Sequence, residues 1–199
     1  TSITNAGEIS GSIAAIYNAG TIGALNNSGV IEGNIVNSTN PLTITGGTGT
    51  IFGTLTGYNG TPGTITTSSD LYLASGNILL NDAINAAGQT VWNTSAVLEV
   101  DSPTTITGHY YQYAAATLLV GVTDSAAVSG SATDTGYCRL VVSGNTTMES
   151  GSTIELKSTT GNYAFAAGQR FVVVATAGTA TYNAGSRQYS VLGQTGTLT

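Results

Sequence analysis

An all-β solenoid is what this sequence predicts, from a repeated phrase, a strand-favouring composition and a scarcity of charge. Ile3, Asn5, Gly7, Ile9, Gly11 and Ile13 are answered 22 positions later by Leu25, Asn27, Gly29, Ile31, Gly33 and Ile35. An offset of that size matches one turn of a stacked, coiled β-structure. Charged residues make up 7% of the 199, with 27 Gly and only 3 Pro. Most of the rest is Ser, Thr, Asn, Ala and β-branched aliphatics, which fit a pleated surface better than a helix. A hydrophobic fraction of 41% sets the chain apart from polar disordered segments.

The named residues share parity, so on a strand they occupy one face. Large aliphatics at the ends of the phrase are expected to fill a narrow interior, while Asn and Gly in its middle suit a corner. Stacking then lays Asn5 against Asn27 as a ladder. A shortened copy, Ile16, Asn18, Gly20 and Ile22, reads as a further side of the same turn. A weaker echo, Gly49, Ile51, Gly53 and Leu55, falls 20 positions after Gly29, Ile31, Gly33 and Ile35. Short apolar strands carry the register onward at Ile65, Leu71 with Leu73, 78–80, Val91, and Leu98 with Val100. Residues 1–101 are read in this way as four or five turns of about 20–22 residues.

From Ser102 the pattern changes. Longer strands at 110–122, 139–142, 152–156 and 170–175 are separated by loops such as 124–136, a pattern that reads as hairpins. Residues 102–199 are therefore expected to form a hairpin-rich cap that hides the open edge of the solenoid. The chain opens and closes in mid-pattern at Thr1 and Thr199, which predicts a piece of a longer protein.

Net charge is −6, from 10 acids against 4 bases. Such a surface has no phosphate-neutralising patch, which argues against nucleic acid and against anionic lipid as partners. No apolar run approaches the ~20 residues that span a bilayer, so no direct membrane insertion is expected. Cys138 is the single cysteine, and no intramolecular disulfide can form.

Catalytic chemistry has little to draw on. His109 is the one histidine and reads as part of a polar strand end; no G-x-S-x-G elbow occurs. Glu99 and Asp101 share strand parity, either as a solvated face or as the carboxylate pair that glycoside hydrolysis requires. Gly46, Gly47 and Gly49 start like a calcium nonapeptide, but Ile51 stands where that motif needs Asp, so no metal site is expected. No catalytic residue and no cofactor is assigned. Cys138 beside Arg139 reads as a small buried hydrophobe, the alternative being a thiol activated by the neighbouring charge. Tyr110, Tyr111 and Tyr113 crowd one strand; Tyr111 and Tyr113 share its face and either cap a core or offer a surface to sugars or another chain. Trp92 reads as a plug over the coil.

The second half carries a recognisable order of motifs: residues 136–145 (GYCRLVVSGN), 148–156 (MESGSTIEL) and 163–174 (YAFAAGQRFVVV). Read as a G-x-L-x-V-x-G strand, a G-x-x-x-x-L hairpin and a Y-x-F-x-x-G-x-x-F/Y-x-V-x-x-A closing strand, they resemble the end of an autotransporter passenger, the part ahead of the membrane barrel in type V secretion. The N-terminal repeats resemble the passengers of self-associating adhesins. Cys138 departs from the family, whose members carry Gly or another small residue there.

The resemblance implies a right-handed parallel β-helix ending in an autochaperone cap that folds first outside the cell and templates the rest. The cap core would be Leu140, Val142, Ile154, Leu156, Tyr163, Phe165, Phe171 and Val173. Implied partners are the chain's own passenger β-helix, an outer-membrane β-barrel, and cell-surface ligands or further copies. The implied location is the bacterial cell surface. Two other functions stay open at this point: a polysaccharide-acting β-helix enzyme using Glu99 and Asp101, and a trimeric phage or viral fibre.

Overall fold

The computed structural model describes residues 1–183, 186–191 and 194–197. Successive turns of the chain lay down short strands that pair in parallel with those of the turn before. The first coil holds β1 (Ser2–Asn5), β2 (Glu8–Ser10) and β3 (Ile16–Asn18); the second β4 (Ala24–Asn27), β5 (Val30–Glu32) and β6 (Ile35–Asn37); the third β7 (Leu42–Thr45), β8 (Gly53–Thr56) and β9 (Thr64–Thr67). Then follow β10 (Leu71–Ser75), β11 (Asn77–Leu80), β12 (Ala83–Asn93), β13 (Val97–Val100), β14 (Thr104–Gln112), β15 (Thr117–Val122) and β16 (Leu140–Val142). The last are β17 (Thr146–Met148), β18 (Thr153–Ser158), β19 (Val174–Thr176), β20 (Ala180–Tyr182), β21 (Ser186–Val191) and β22 (Gln194–Thr197).

Three sides result. The first is β1-β4-β7-β10-β12-β14-β17-β20, the second β2-β5-β8-β11-β13-β15-β18-β21, and the third β3-β6-β9-β12-β14-β16-β19. β12 and β14 turn a corner, each closing the third side of one coil and opening the first side of the next. The fold is a right-handed parallel β-helix.

Alternation along each strand sends one residue in and the next out. Ile16, Ile35, Ile65, Ile84, Ile106 and Val142 form one interior column. Leu42, Leu71, Val91 and Tyr110 form a second. Ile31, Leu55 and Leu80, then Val100, Val120 and Leu156, form a third. Nearly all are fully buried, and burying each such aliphatic side chain is worth about 1.5–3 kcal/mol.

Asparagines stack inside the corners. Asn5 Nδ2 donates to Asn27 Oδ1 at 2.8 Å, and Asn27 Nδ2 donates onward to the Thr54 carbonyl at 3.0 Å. A second ladder runs from Asn18 Nδ2 to Asn37 Oδ1 at 2.6 Å, and from Asn37 Nδ2 to Thr67 Oγ1 at 3.1 Å. Glycine is required where backbones meet at these corners: a Cβ on Gly29 would lie 2.0 Å from the Gly7 carbonyl oxygen, and one on Gly53 1.9 Å from that of Asn27.

Two expected registers differ. Ile35 pairs with Ile16 rather than Ile13, which is 87% exposed. The Gly11 and Ala15 amides bond to the Glu32 and Asn34 carbonyls, so three residues face a space that one residue fills in the next coil, and the excess loops out. Leu55 pairs with Ile31, an offset of 24 rather than 20, because residues 46–52 form an inserted loop whose Gly49 carbonyl accepts from Asn77 Nδ2 at 2.7 Å.

Beyond Ser102 the expected hairpins give way mostly to further coils. Strands β14 to β20 pair in parallel, and β21–β22 is the one antiparallel strand pair among the described strands. What lengthens is the loop: Thr104 pairs with Leu140, 36 positions on, and Leu140 with Val174, 34 on, because residues 123–139 and 159–173 emerge in turn at the corner between the second and third sides. A parallel ladder needs only matching strand edges, so a longer period entails no change of pairing.

Asn27→Ala removes the acceptor of Asn5 and the donor to Thr54 together. We expect it to lower the unfolding free energy by about 1–3 kcal/mol, read as a drop in the urea midpoint. Asn26→Ala, on the outward face, should stay within about 0.5 kcal/mol of the parent.

Candidate functional site

On the first side, Tyr72, Trp92 and Tyr111 stand in register on β10, β12 and β14. They point outward because their neighbours Leu71, Leu73, Val91, Asn93, Tyr110 and Gln112 take the interior. Tyr113 follows at the end of β14 and is 37% exposed. Ring centroids lie 6.3 Å apart for Tyr72 and Trp92, 5.0 Å for Trp92 and Tyr111, 5.9 Å for Trp92 and Tyr113, and 4.8 Å for Tyr111 and Tyr113.

Two carboxylates hold these rings. Trp92 Nε1 donates to Asp70 Oδ2 at 3.0 Å, while Asp70 Oδ1 accepts the Thr90 amide at 2.9 Å. The Tyr111 hydroxyl donates to Glu149 Oε1 at 2.6 Å, and Glu149 Oε2 accepts the Ala114 amide at 3.1 Å. That bond to an anion is the main reason the Tyr111 phenol titrates above its usual range. Trp92 is therefore no plug over the coil; it stands mid-solenoid on the outer wall. Of the three crowded tyrosines the one that fills the interior is Tyr110, its hydroxyl donating to Gln112 Oε1 at 2.9 Å. Nothing local in the sequence marks Asp70 or Glu149, whereas Tyr72 carries a signal in its offset, since Tyr72, Trp92 and Tyr111 are one coil length apart.

The eight residues expected to form a cap core divide between two environments. Leu140, Val142 and Leu156 sit in the interior columns, with Ile154 and Val173 partly buried against them. Tyr163, Phe165 and Phe171 gather instead around Tyr137 at the corner where the long loops emerge, at 5.2 Å for Tyr137 and Phe171, 4.8 Å for Tyr163 and Phe165, and 6.2 Å for Tyr163 and Phe171. The Val172 amide donates to the Tyr137 hydroxyl oxygen at 3.0 Å. Arg139 pins the first loop, its guanidinium donating to the Ala132 and Asp134 carbonyls and lying 4.8 Å from the Tyr137 ring centroid.

Other titratable residues are engaged locally. Glu99 is buried on the outward side of β13, where Lys157 Nζ lies 2.6 Å from Oε1. Burial raises its pKa, Lys157 opposes that, and the charge of Asp101 adds to it. Asp101 itself is exposed in the turn after β13. His109 Nδ1 accepts the Asn145 amide at 2.8 Å, a backbone-steadying role at a corner. Cys138 is 8% exposed, and burial pushes its thiol up to about 11, so it is a protonated hydrophobe rather than an activated nucleophile. Among the described residues no three His, Cys, Asp or Glu converge as metal ligands. No helix among them is long and apolar enough to cross a membrane.

Asp82 is fully buried after β11, beneath the loop 57–63. Oδ1 accepts the Gly63 amide at 3.0 Å, whereas Oδ2 has no partner among the described residues. Burial raises its pKa to about 6, only partly offset by the Gly63 bond. The folded state therefore holds this proton more tightly than the unfolded chain, whose carboxyl titrates near ~3.9. Its contribution is most favourable below pH ~4 and is lost as pH rises to about 6. Urea midpoints measured from pH 4 to 7 should show a loss of roughly 2–3 kcal/mol from this group, and Asp82→Asn should flatten that slope.

No family model matches the chain, no curated protein matches it, and no solved structure matches it.

Proposed function

We propose that this chain is the C-terminal part of a secreted autotransporter passenger, a β-helical stalk with an autochaperone cap that nucleates passenger folding at the bacterial cell surface, within an adhesin. The observation that carries this reading is the coincidence of the closing-strand motifs at 136–174 with coils that carry an added aromatic cluster. There the interior residues Leu140, Val142 and Leu156 are accompanied by a second aromatic cluster around Tyr137. A coil with two layers of apolar packing is suited to persist without its neighbour and to offer a strand edge on which the next coil forms. Low charge and a single cysteine suit passage of an extended chain through a narrow pore. Its partners on this reading are the remaining passenger, an outer-membrane barrel and surface ligands. The commitment of Glu99 to Lys157 weighs against the polysaccharide-acting enzyme, whose acid or nucleophile it would have been.

Refolding kinetics test the proposal, with the single tryptophan, Trp92, as reporter. Leu25 and Leu156 are both essentially inaccessible, and truncating either to Ala should cost about 2–5 kcal/mol. If the C-terminal coils form first, Leu156→Ala slows refolding by at least about tenfold, while Leu25→Ala acts mainly by speeding unfolding. The reverse pattern would refute the cap as nucleus.

A further inference from the structure

We propose that the Tyr72, Trp92 and Tyr111 column, flanked by Tyr113, binds a neutral, extended polysaccharide of hexopyranose units lying along the solenoid axis. The proposal supplies a ligand for the adhesin reading and takes only its biological setting from it.

The strip is unusual for the side of a sheet that faces solvent. Aromatic residues are 7% of the chain, yet four of them, including its one tryptophan, share a patch of outer wall spanning three successive coils. Tyr72 and Trp92 stack nearly parallel, at 11°. Trp92, Tyr111 and Tyr113 instead tilt against one another by 33–47°, and the Tyr113 ring is 37% exposed. The hydrogen bonds from Trp92 to Asp70 and from Tyr111 to Glu149 fix the ring orientations before any ligand arrives, so little rotamer entropy remains to be lost on binding.

Spacing and polarity select the ligand. Centroids of neighbouring rings lie 4.8–6.3 Å apart, near the length of one hexopyranose in an extended glycan, so successive sugars can lay their C–H faces along the strip. Each oxygen of Asp70 and Glu149 accepts one protein hydrogen bond, and a carboxylate oxygen offers about two acceptor sites. The free sites border the rings and suit sugar hydroxyl donors. Asp70 and Glu149 form no ion pair among the described residues, so an anionic glycan would meet uncompensated negative charge.

Trp92 reports occupancy directly. The intact chain is titrated with cellohexaose, chitohexaose and mannohexaose while its emission is followed, with choline chloride as a cationic control. We expect at least one hexaose to give a saturable change with Kd below ~10 mM. Tyr113→Ala and Tyr111→Ala should each weaken it roughly five- to tenfold while far-UV circular dichroism stays at the parental signal. Tyr113→Ala removes an exposed ring outside the strand ladder and serves as the reference should Tyr111→Ala misfold. No response to any hexaose, a response to choline alone, or hexaose binding that Tyr113→Ala leaves unchanged would each overturn the proposal. None of these outcomes bears on the order of folding, which the Leu25 and Leu156 variants decide.

Discussion

Parallel backbone hydrogen bonding between successive coils is the constraint on which the rest of this molecule depends. Once each coil must present its strand edges to the next in register, equivalent side chains are forced into columns, and each column must tolerate its own repetition. Isoleucine, leucine and valine satisfy that requirement by packing on their like, as in the run from Ile16 to Val142. Asparagine satisfies it differently, because one amide group both donates and accepts and can pass a hydrogen bond from coil to coil, as from Asn5 to Asn27. Glycine satisfies it by having no side chain where two backbones nearly touch, as at Gly29 and Gly53.

The same rule operates on the outer wall with a different result. Outward positions also form columns, and water makes no demand that they be apolar. A chain with few charges can place stacked aromatics there, provided their polar atoms find partners. Asp70 and Glu149 provide those partners for Trp92 and Tyr111. On the second side, Glu99 and Lys157 meet across two coils by the same logic, with Lys157 Nζ also 5.9 Å from the Phe52 ring centroid. The interior columns hold the coils together, and the outward columns give each side its chemical character.

Corners are where the ladder leaves the chain free. A coil shortened or lengthened between strands keeps its pairing, which is why Ile13 loops out, why residues 46–52 are inserted, and why two long loops at one corner build the cluster of Tyr137, Tyr163, Phe165 and Phe171. That freedom has a structural cost at Asp82. The loop 57–63 seals its carboxylate from solvent with a single hydrogen bond, so its charged form is disfavoured.

By itself, the sequence determined the coiled all-β architecture, the interior identity of Leu25 and Ile35, the strand positions of Ile65, Leu71, Leu73, Leu98 and Val100, and the stacking of Asn5 on Asn27. Two-residue periodicity and a recurring coil length are local properties, and both are written in the order of residues. Which isoleucine of the first coil meets Ile35, the continuation of parallel pairing past Ser102, the joining of Glu99 to Lys157 and the alignment of Tyr72 with Trp92 and Tyr111 were decided only by the tertiary structure. Those pairings depend on how many residues each corner absorbs. That number is set by backbone hydrogen bonds between coils 19 to 36 positions apart, which no window along the chain contains.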